Sequence, residues 1–227
     1  MSGKEMDFKH SKNLTKWVRY ILCVQIVLAI ISIGSNFLEY QLLTDLQNGA
    51  YVSQIEAFDD AESSDRRQQI LNVINIIVFI ISGLLILIWI YRANYNSHQL
   101  GAKDMDFTPG WSIGYFFIPI LALWKPYLAM KEIWQTSHNP NNWALEQAGT
   151  ILRVWWFFWI VSNIVAQIGF RVSLEPKELQ DFINSNIVMQ ISDLLTIPLA
   201  ASTLILISSI YKAQYAALKA KQTNEDN

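Results

Sequence analysis

The sequence predicts an all-α, integral membrane helical bundle: four transmembrane helices in two hairpins, plus a short re-entrant or interfacial segment. Three observations predict it. Only 16% of the 227 residues are charged, where a soluble domain carries roughly 25%. The apolar residues gather into runs about as long as a bilayer is thick, with the charges between them. The cations then fall mostly on one side of the resulting layout. With 17 Lys+Arg against 19 Asp+Glu the formal charge is −2, so no nucleic-acid partner is expected and the lipid bilayer is the first partner.

The elements follow in order. Residues 1–16 form a basic tail with Lys4, Lys9, Lys12 and Lys16. A helix rises about 1.5 Å per residue and the hydrocarbon core is about 30 Å thick, so a span needs about 20 apolar residues. The run at about 17–37 meets that need. It resembles a signal peptide in its basic flank, but its core is too long, and Gly34-Ser35-Asn36 leads into Phe37 and Leu38 without a cleavage pattern. It is expected to stay as an anchor. Residues 41–69 carry six acidic side chains against Arg66 and Arg67, which predicts a partly helical acidic connection. Ser63-Ser64-Asp65 reads as a helix N-cap ahead of the second span, about 70–91. The third span is expected at about 151–170. A short connection at about 172–190 leads to the last span, about 194–211, which contains Pro198. The membrane domain covers 17–215, and 216–227 is a second cytoplasmic tail.

A fifth run, Trp111 to Trp124, is uncharged but only fourteen residues long and contains Pro119. That is too short for a span and suits a re-entrant or interfacial segment within 111–134. The positive-inside rule supplies an independent test. If the run does not cross, the Lys and Arg residues divide 13 inside to 4 outside; if it crosses, they divide 9 to 8. Four spans with both termini cytoplasmic are therefore expected.

The chain also echoes itself. Ile90-Tyr91-Arg92-Ala93-Asn94-Tyr95 and Ile210-Tyr211-Lys212-Ala213-Gln214-Tyr215 stand 120 residues apart, as do Ser82 and Ser202, while Ser35-Asn36 and Ser162-Asn163 stand 127 apart. Two hairpins of common origin would produce this pattern, and so would chance in a biased composition.

The densest patterning lies between Trp89 and Trp134. Trp89, Tyr91 and Tyr95 read as amphipathic rings at a span exit, with Arg92 near the headgroups. Thr108-Pro109-Gly110-Trp111 reads as a type II turn with positive φ at Gly110. After Lys125-Pro126, residues Tyr127, Met130, Ile133 and Trp134 share a helical face and Lys131 and Glu132 lie off it, as in a helix lying along the leaflet. The set can be anchoring and packing, or a surface that recognises a lipid headgroup or a cytoplasmic protein partner.

These residues also carry a likeness. Trp89-Ile90-Tyr91-Arg92 with Asn96, Phe107-Thr108-Pro109-Gly110-Trp111, Gly114, Pro119, and Trp124-Lys125-Pro126-Tyr127 with Glu132 and Trp134 resemble the signature of a bacterial membrane family catalogued as domain of unknown function 4328. The resemblance covers most of the chain from the second span onward. It implies a bacterial inner-membrane protein of several helices and carries no reaction with it. It makes Trp89, Arg92, Asn96, Pro109, Gly110, Trp111, Pro119, Lys125, Pro126, Tyr127, Glu132 and Trp134 the candidate lipid or partner surface.

Catalytic chemistry finds little support. His10, His98 and His138 are far apart, the single Cys23 lies in an apolar run, and no phosphate loop or nucleophile elbow is present. No metal or other cofactor is expected, and an enzyme is the minority reading. A noncatalytic membrane protein acting through its cytoplasmic face is the leading expectation. The alternative is a small-solute transporter or channel using Gln25, Asn72, Asn75, Asn163, Gln167 and Asp193, although Asp193 precedes eighteen uncharged residues and is expected at the outer interface.

Overall fold

A computed structural model describes residues 8–174 and 178–225. Lys4 of the basic tail, Lys177 of the outside count, and residues 226–227 lie outside the described residues. Among those described the chain is all α, with no strand. The helices are α1 (Lys12–Gln47), α2 (Gln54–Leu100), α3 (Pro109–Gly114), α4 (Lys125–His138), α5 (Thr150–Ser173) and α6 (Leu179–Glu225). Single 3₁₀ turns occupy Tyr115–Phe117, Leu121–Leu123 and Trp143–Leu145.

Four helices, α1, α2, α5 and α6, are long and apolar enough to cross a membrane, and each contains one expected span. Both α2 and α6 have 47 residues. At about 1.5 Å per residue that is about 70 Å, more than twice the hydrocarbon thickness. The expected connections therefore shrink: α1 runs on to Gln47, and α6 already starts at Leu179.

The chain forms two compact units, one of residues 1–20, 82–156 and 202–227, the other of residues 21–81 and 157–201. The first unit has an apolar interior of Trp89, Ile90, Phe107, Met130, Ile133, Leu152 and Ile210. The second buries few large apolar side chains, Leu22 and Ile183 among them. Its buried set includes Ser32, Ser35, Asn36, Ser64 and Asn186, while Ile30, Ile76, Ile77, Phe79 and Ile80 face outward. Apolar side chains outside and polar ones inside is the arrangement that hydrocarbon surroundings favour.

Three local expectations are corrected. Ser63-Ser64-Asp65 does not cap a helix, because α2 begins at Gln54 and passes through it; Ser64 is buried and accepts from Arg67 NH2 at 2.9 Å. Thr108-Pro109-Gly110 is not a type II turn. Thr108 is the N-cap of α3, its side chain accepting from the Trp111 N–H, with Pro109 in the first turn. Proline suits that position because its missing N–H would have no helical partner anyway, and positive φ is found at Gly49, Gly101 and Asp104 instead. Finally, α4 is not apolar on one face and polar on the other: Glu132, Gln135, Thr136 and Ser137 are buried along with Met130 and Ile133. Each of those four polar side chains has a hydrogen-bond partner, which makes the burial tolerable.

Gly149, just before α5, is held by a close approach. A Cβ there would stand 2.6 Å from Trp134 Cζ2. Gly149→Ala is expected to lower stability by about 1–3 kcal/mol, the usual cost of overpacking. The penalty should largely vanish in a Trp134→Leu background, and thermal unfolding of the two singles and the double in detergent measures that coupling.

Candidate functional site

The first unit gathers the candidate residues, and most of them hold main chain rather than face outward. Asn96 sits on the buried side of α2 and makes a two-point pairing with the main chain of one residue, Lys9. Its Nδ2 donates to Lys9 O at 3.0 Å, and its Oδ1 accepts from Lys9 N at 2.9 Å. This ties the segment ahead of α1 to α2 and leaves the Lys9 ammonium 4.2 Å from the centre of the Tyr95 ring, a cation–π contact. Trp89 is 2% exposed and its Nε1 donates to Thr15 Oγ1 at 2.9 Å. It is a core residue and not a headgroup anchor.

Glu132 performs the corresponding task for the turn before α3. Its carboxylate accepts from the backbone N–H of Asp106 at 2.7 Å and of Phe107 at 3.1 Å. The Phe107 carbonyl in turn accepts from Asn94 Nδ2 at 3.1 Å and contacts His98 Nε2 at 3.3 Å. Gln135 Nε2 donates to Glu146 O, and Trp143 Nε1 donates to Lys103 O. Gln214 of α6 donates to Ala93 O at 2.8 Å and to Ser137 Oγ at 3.1 Å. Thr15, Asn94, Ser97, Thr136 and Gln214 complete this network. They were missed in the sequence because isolated polar letters in apolar helices do not reveal which backbone groups need partners.

The remaining candidates surround the break between α3 and α4. Lys125 does not point freely outward: its Nζ lies 5.5 Å from the Phe107 ring and 5.6 Å from the Tyr115 ring. Tyr115 also packs edge-on to Phe107 and against Trp111. Pro126 is buried in the first turn of α4. Tyr127 meets Trp156 at 5.8 Å between centroids, and Trp134 stacks on His138 at 4.3 Å. Gly110, Trp111 and Pro119 are exposed, Pro109 and Arg92 half-buried. So Trp111, Phe117, Ile120, Leu123 and Trp124 form an exposed apolar rim on short turns, held from behind by Lys125 and the aromatic rings.

In the second unit, polar side chains at helical spacing meet one another. Asn36 Nδ2 donates to Asp193 Oδ2 at 2.8 Å, and Gln68 Nε2 donates to Asn36 Oδ1 at 3.0 Å and also to Glu39. Asn186 Nδ2 reaches Asn36 O and Glu39 Oε2, Asn75 Nδ2 donates to Ser32 Oγ, and Arg67 Nε donates to Ser35 Oγ. Asn163 stands apart from this network, exposed and donating to its own helix at Trp159 O. The i, i+4, i+7 placement of Ser32, Asn36 and Glu39, and of Gln68, Asn72 and Asn75, was the available sequence signal.

Glu132 is also where the first unit responds to pH. Burial raises its carboxyl to about 7 from 4.5, more than the Asp106 and Phe107 N–H groups lower it. The folded protein then holds this proton more tightly than the unfolded chain does. Its contribution is full below about pH 4.5 and is lost as pH rises through about 7. Thermal midpoints of the detergent-solubilised protein should fall between pH 5 and 8, with a slope that Glu132→Gln removes; equal slopes in the two proteins would refute the assignment.

Residues 53–212 match the family model described as Domain of unknown function (DUF4328). No curated protein and no solved structure matches the chain. The matched stretch holds the pins Asn96 and Glu132, the capped turn at Thr108, the exposed rim and α4. Because it spans more than two thirds of the sequence, the chain belongs to the DUF4328 family.

Proposed function

We propose that this is a noncatalytic multi-pass protein of the bacterial cell membrane, with both termini cytoplasmic, whose 109–128 segment enters and leaves the cytoplasmic leaflet and engages its lipid. One observation carries the reading. Phe117 is 71% exposed, Ile120 70% and Leu123 57%, yet none of them lies on a helix long enough to span. Outward-facing isoleucines on α1 or α2 need only a bilayer around them. A rim of large apolar side chains on broken 3₁₀ turns needs hydrocarbon at that place, since each such side chain gains about 1.5–3 kcal/mol on leaving water.

The backbone of the segment supports the same conclusion. Irregular chain tolerates hydrocarbon only where its polar groups are satisfied by protein. Its start is capped by Thr108, and Glu132 holds the peptide groups just before it. The excess of Lys and Arg on the side assigned to the cytoplasm favours an anionic leaflet. The half-exposed Arg92 and Lys131 are the cations placed to meet headgroups.

Spin labels at Phe117→Cys and Ile120→Cys, in a Cys23→Ser background in phosphatidylglycerol-containing vesicles, are expected to collide with oxygen far more than with an aqueous nickel reagent. Asp104→Cys and Asn139→Cys should react with an impermeant maleimide from the same side. Water-accessible labels, or cysteines reacting from opposite sides, would overturn the proposal.

A further inference from the structure

The second unit contains a cavity of about 250 Å³. Its polar lining includes Ser32, Asn36, Gln68, Asn72, Asn75 and Asp193, and Leu71, Val78 and Met189 supply an apolar wall. No Lys, Arg or His lines it among the described residues. Arg67, the nearby cation of α2, is engaged by Ser35 and Ser64. The one charged group of the lining is therefore the Asp193 carboxylate. Asn36 occupies its Oδ2 and is itself fixed from two sides, through its side chain by Gln68 and through its main-chain oxygen by Asn186. Asp193 Oδ1 has no partner among the described residues.

An anchored carboxylate with one unoccupied oxygen, in a cavity without a cation, calls for a ligand that brings positive charge. The volume matches about eight waters at about 30 Å³ each, room for an organic solute of about ten non-hydrogen atoms. A bare metal ion fits poorly, because calcium or magnesium needs about six oxygens converging at about 2.0–2.6 Å, and here a single carboxylate stands among neutral side chains around a much larger space. An ammonium group differs: it has donors only, and a carboxylate oxygen, a hydroxyl and amide oxygens can take them.

We propose that this cavity binds a small primary ammonium compound, with Asp193 as the counter-charge, Asn72 and Asn75 as further polar partners, and the Leu71, Val78 and Met189 wall against the ligand's hydrocarbon. The site belongs to the second unit and is independent of the lipid-engaging segment, so either assignment can fail alone.

Thermal unfolding of the full-length protein in detergent at pH 7.5 tests it, with n-butylammonium chloride as the probe and butanol, butyrate and sodium chloride as comparisons at matched ionic strength. The expected result is a saturable rise in the unfolding midpoint with butylammonium alone. Asp193→Asn should weaken that response about tenfold or more, the loss of a charge-assisted contact, and Asn163→Ala should leave it intact. A saturable response to sodium chloride equal to that of butylammonium would overturn the organic class. An equal response to butanol, or no response at all in the wild-type protein, would overturn the site. These wild-type comparisons decide the matter even if Asp193→Asn does not fold.

Discussion

Every peptide N–H and C=O that leaves water must find a partner, and in hydrocarbon an unpaired one costs several kcal/mol. Helices meet this requirement internally, so α1, α2, α5 and α6 can be long and compositionally plain. The difficulty arises where the chain stops being helical, at residues 8–11, 101–108 and 139–149. There the first unit places its buried polar side chains. Asn96 takes both main-chain groups of Lys9, Glu132 takes two N–H groups at 106–107, Asn94 and His98 reach the Phe107 carbonyl, and Gln135 reaches the Glu146 carbonyl. Each pin contributes about 0.5–1.5 kcal/mol net while formed, and losing one leaves a buried group unsatisfied at a cost of about 1–3 kcal/mol. The non-helical connections of the first unit thus depend on side-chain-to-backbone bonds.

This changes the meaning of the patterned stretch from Trp89 to Trp134. A polar residue in an apolar context invites a functional reading, yet Asn96 and Glu132 are as buried as the leucines around them. They act as substitutes for the secondary structure that the 101–108 connection lacks. Between Pro109 and Pro126 what faces outward is uncharged, with Trp111, Phe117, Ile120 and Leu123 prominent. It is on this combination, a base held by side-chain bonds and exposed apolar tips, that the proposed insertion into the leaflet rests.

Legibility followed the physics of each feature. The four spans were readable because hydrocarbon thickness sets a length and charge is excluded over that length; each expected span lies inside one helix. The break after Thr108 was visible in Pro109, but its geometry was misread. Thr-Pro-Gly is compatible with both a type II turn and a capped helix start, and only the tertiary course of the chain chooses between them. Asn96 and Glu132 were named through the family resemblance, but their role as pins could not be read, since a bond such as Asn96 to Lys9 joins positions 87 residues apart. In the second unit, Asp193 was seen, but its partner Asn36 was known only as half of a possible repeat.

That repeat can now be judged from burial as well as letters. At the offset of 120, Ile90 and Ile210 are both buried, as are Ser82 and Ser202, and Asn94 and Gln214. Asn94 serves the main chain at Phe107 and Gln214 serves it at Ala93, so the paired positions share a task as well as a register. At the offset of 127 the likeness fails: Asn36 is buried at the centre of a network, and Asn163 is exposed and bonded to its own helix. At Tyr91 and Tyr211, Arg92 and Lys212, Ala93 and Ala213, and Tyr95 and Tyr215 the burial differs, so letters and burial agree over only part of the echo. The echo between α2 and α6 is thus closer in burial than that between α1 and α5, and both common origin and chance in an apolar composition produce such a partial match. The polar interior of the second unit draws on Asn36 of α1, whereas Asn163 of α5 bonds within its own helix.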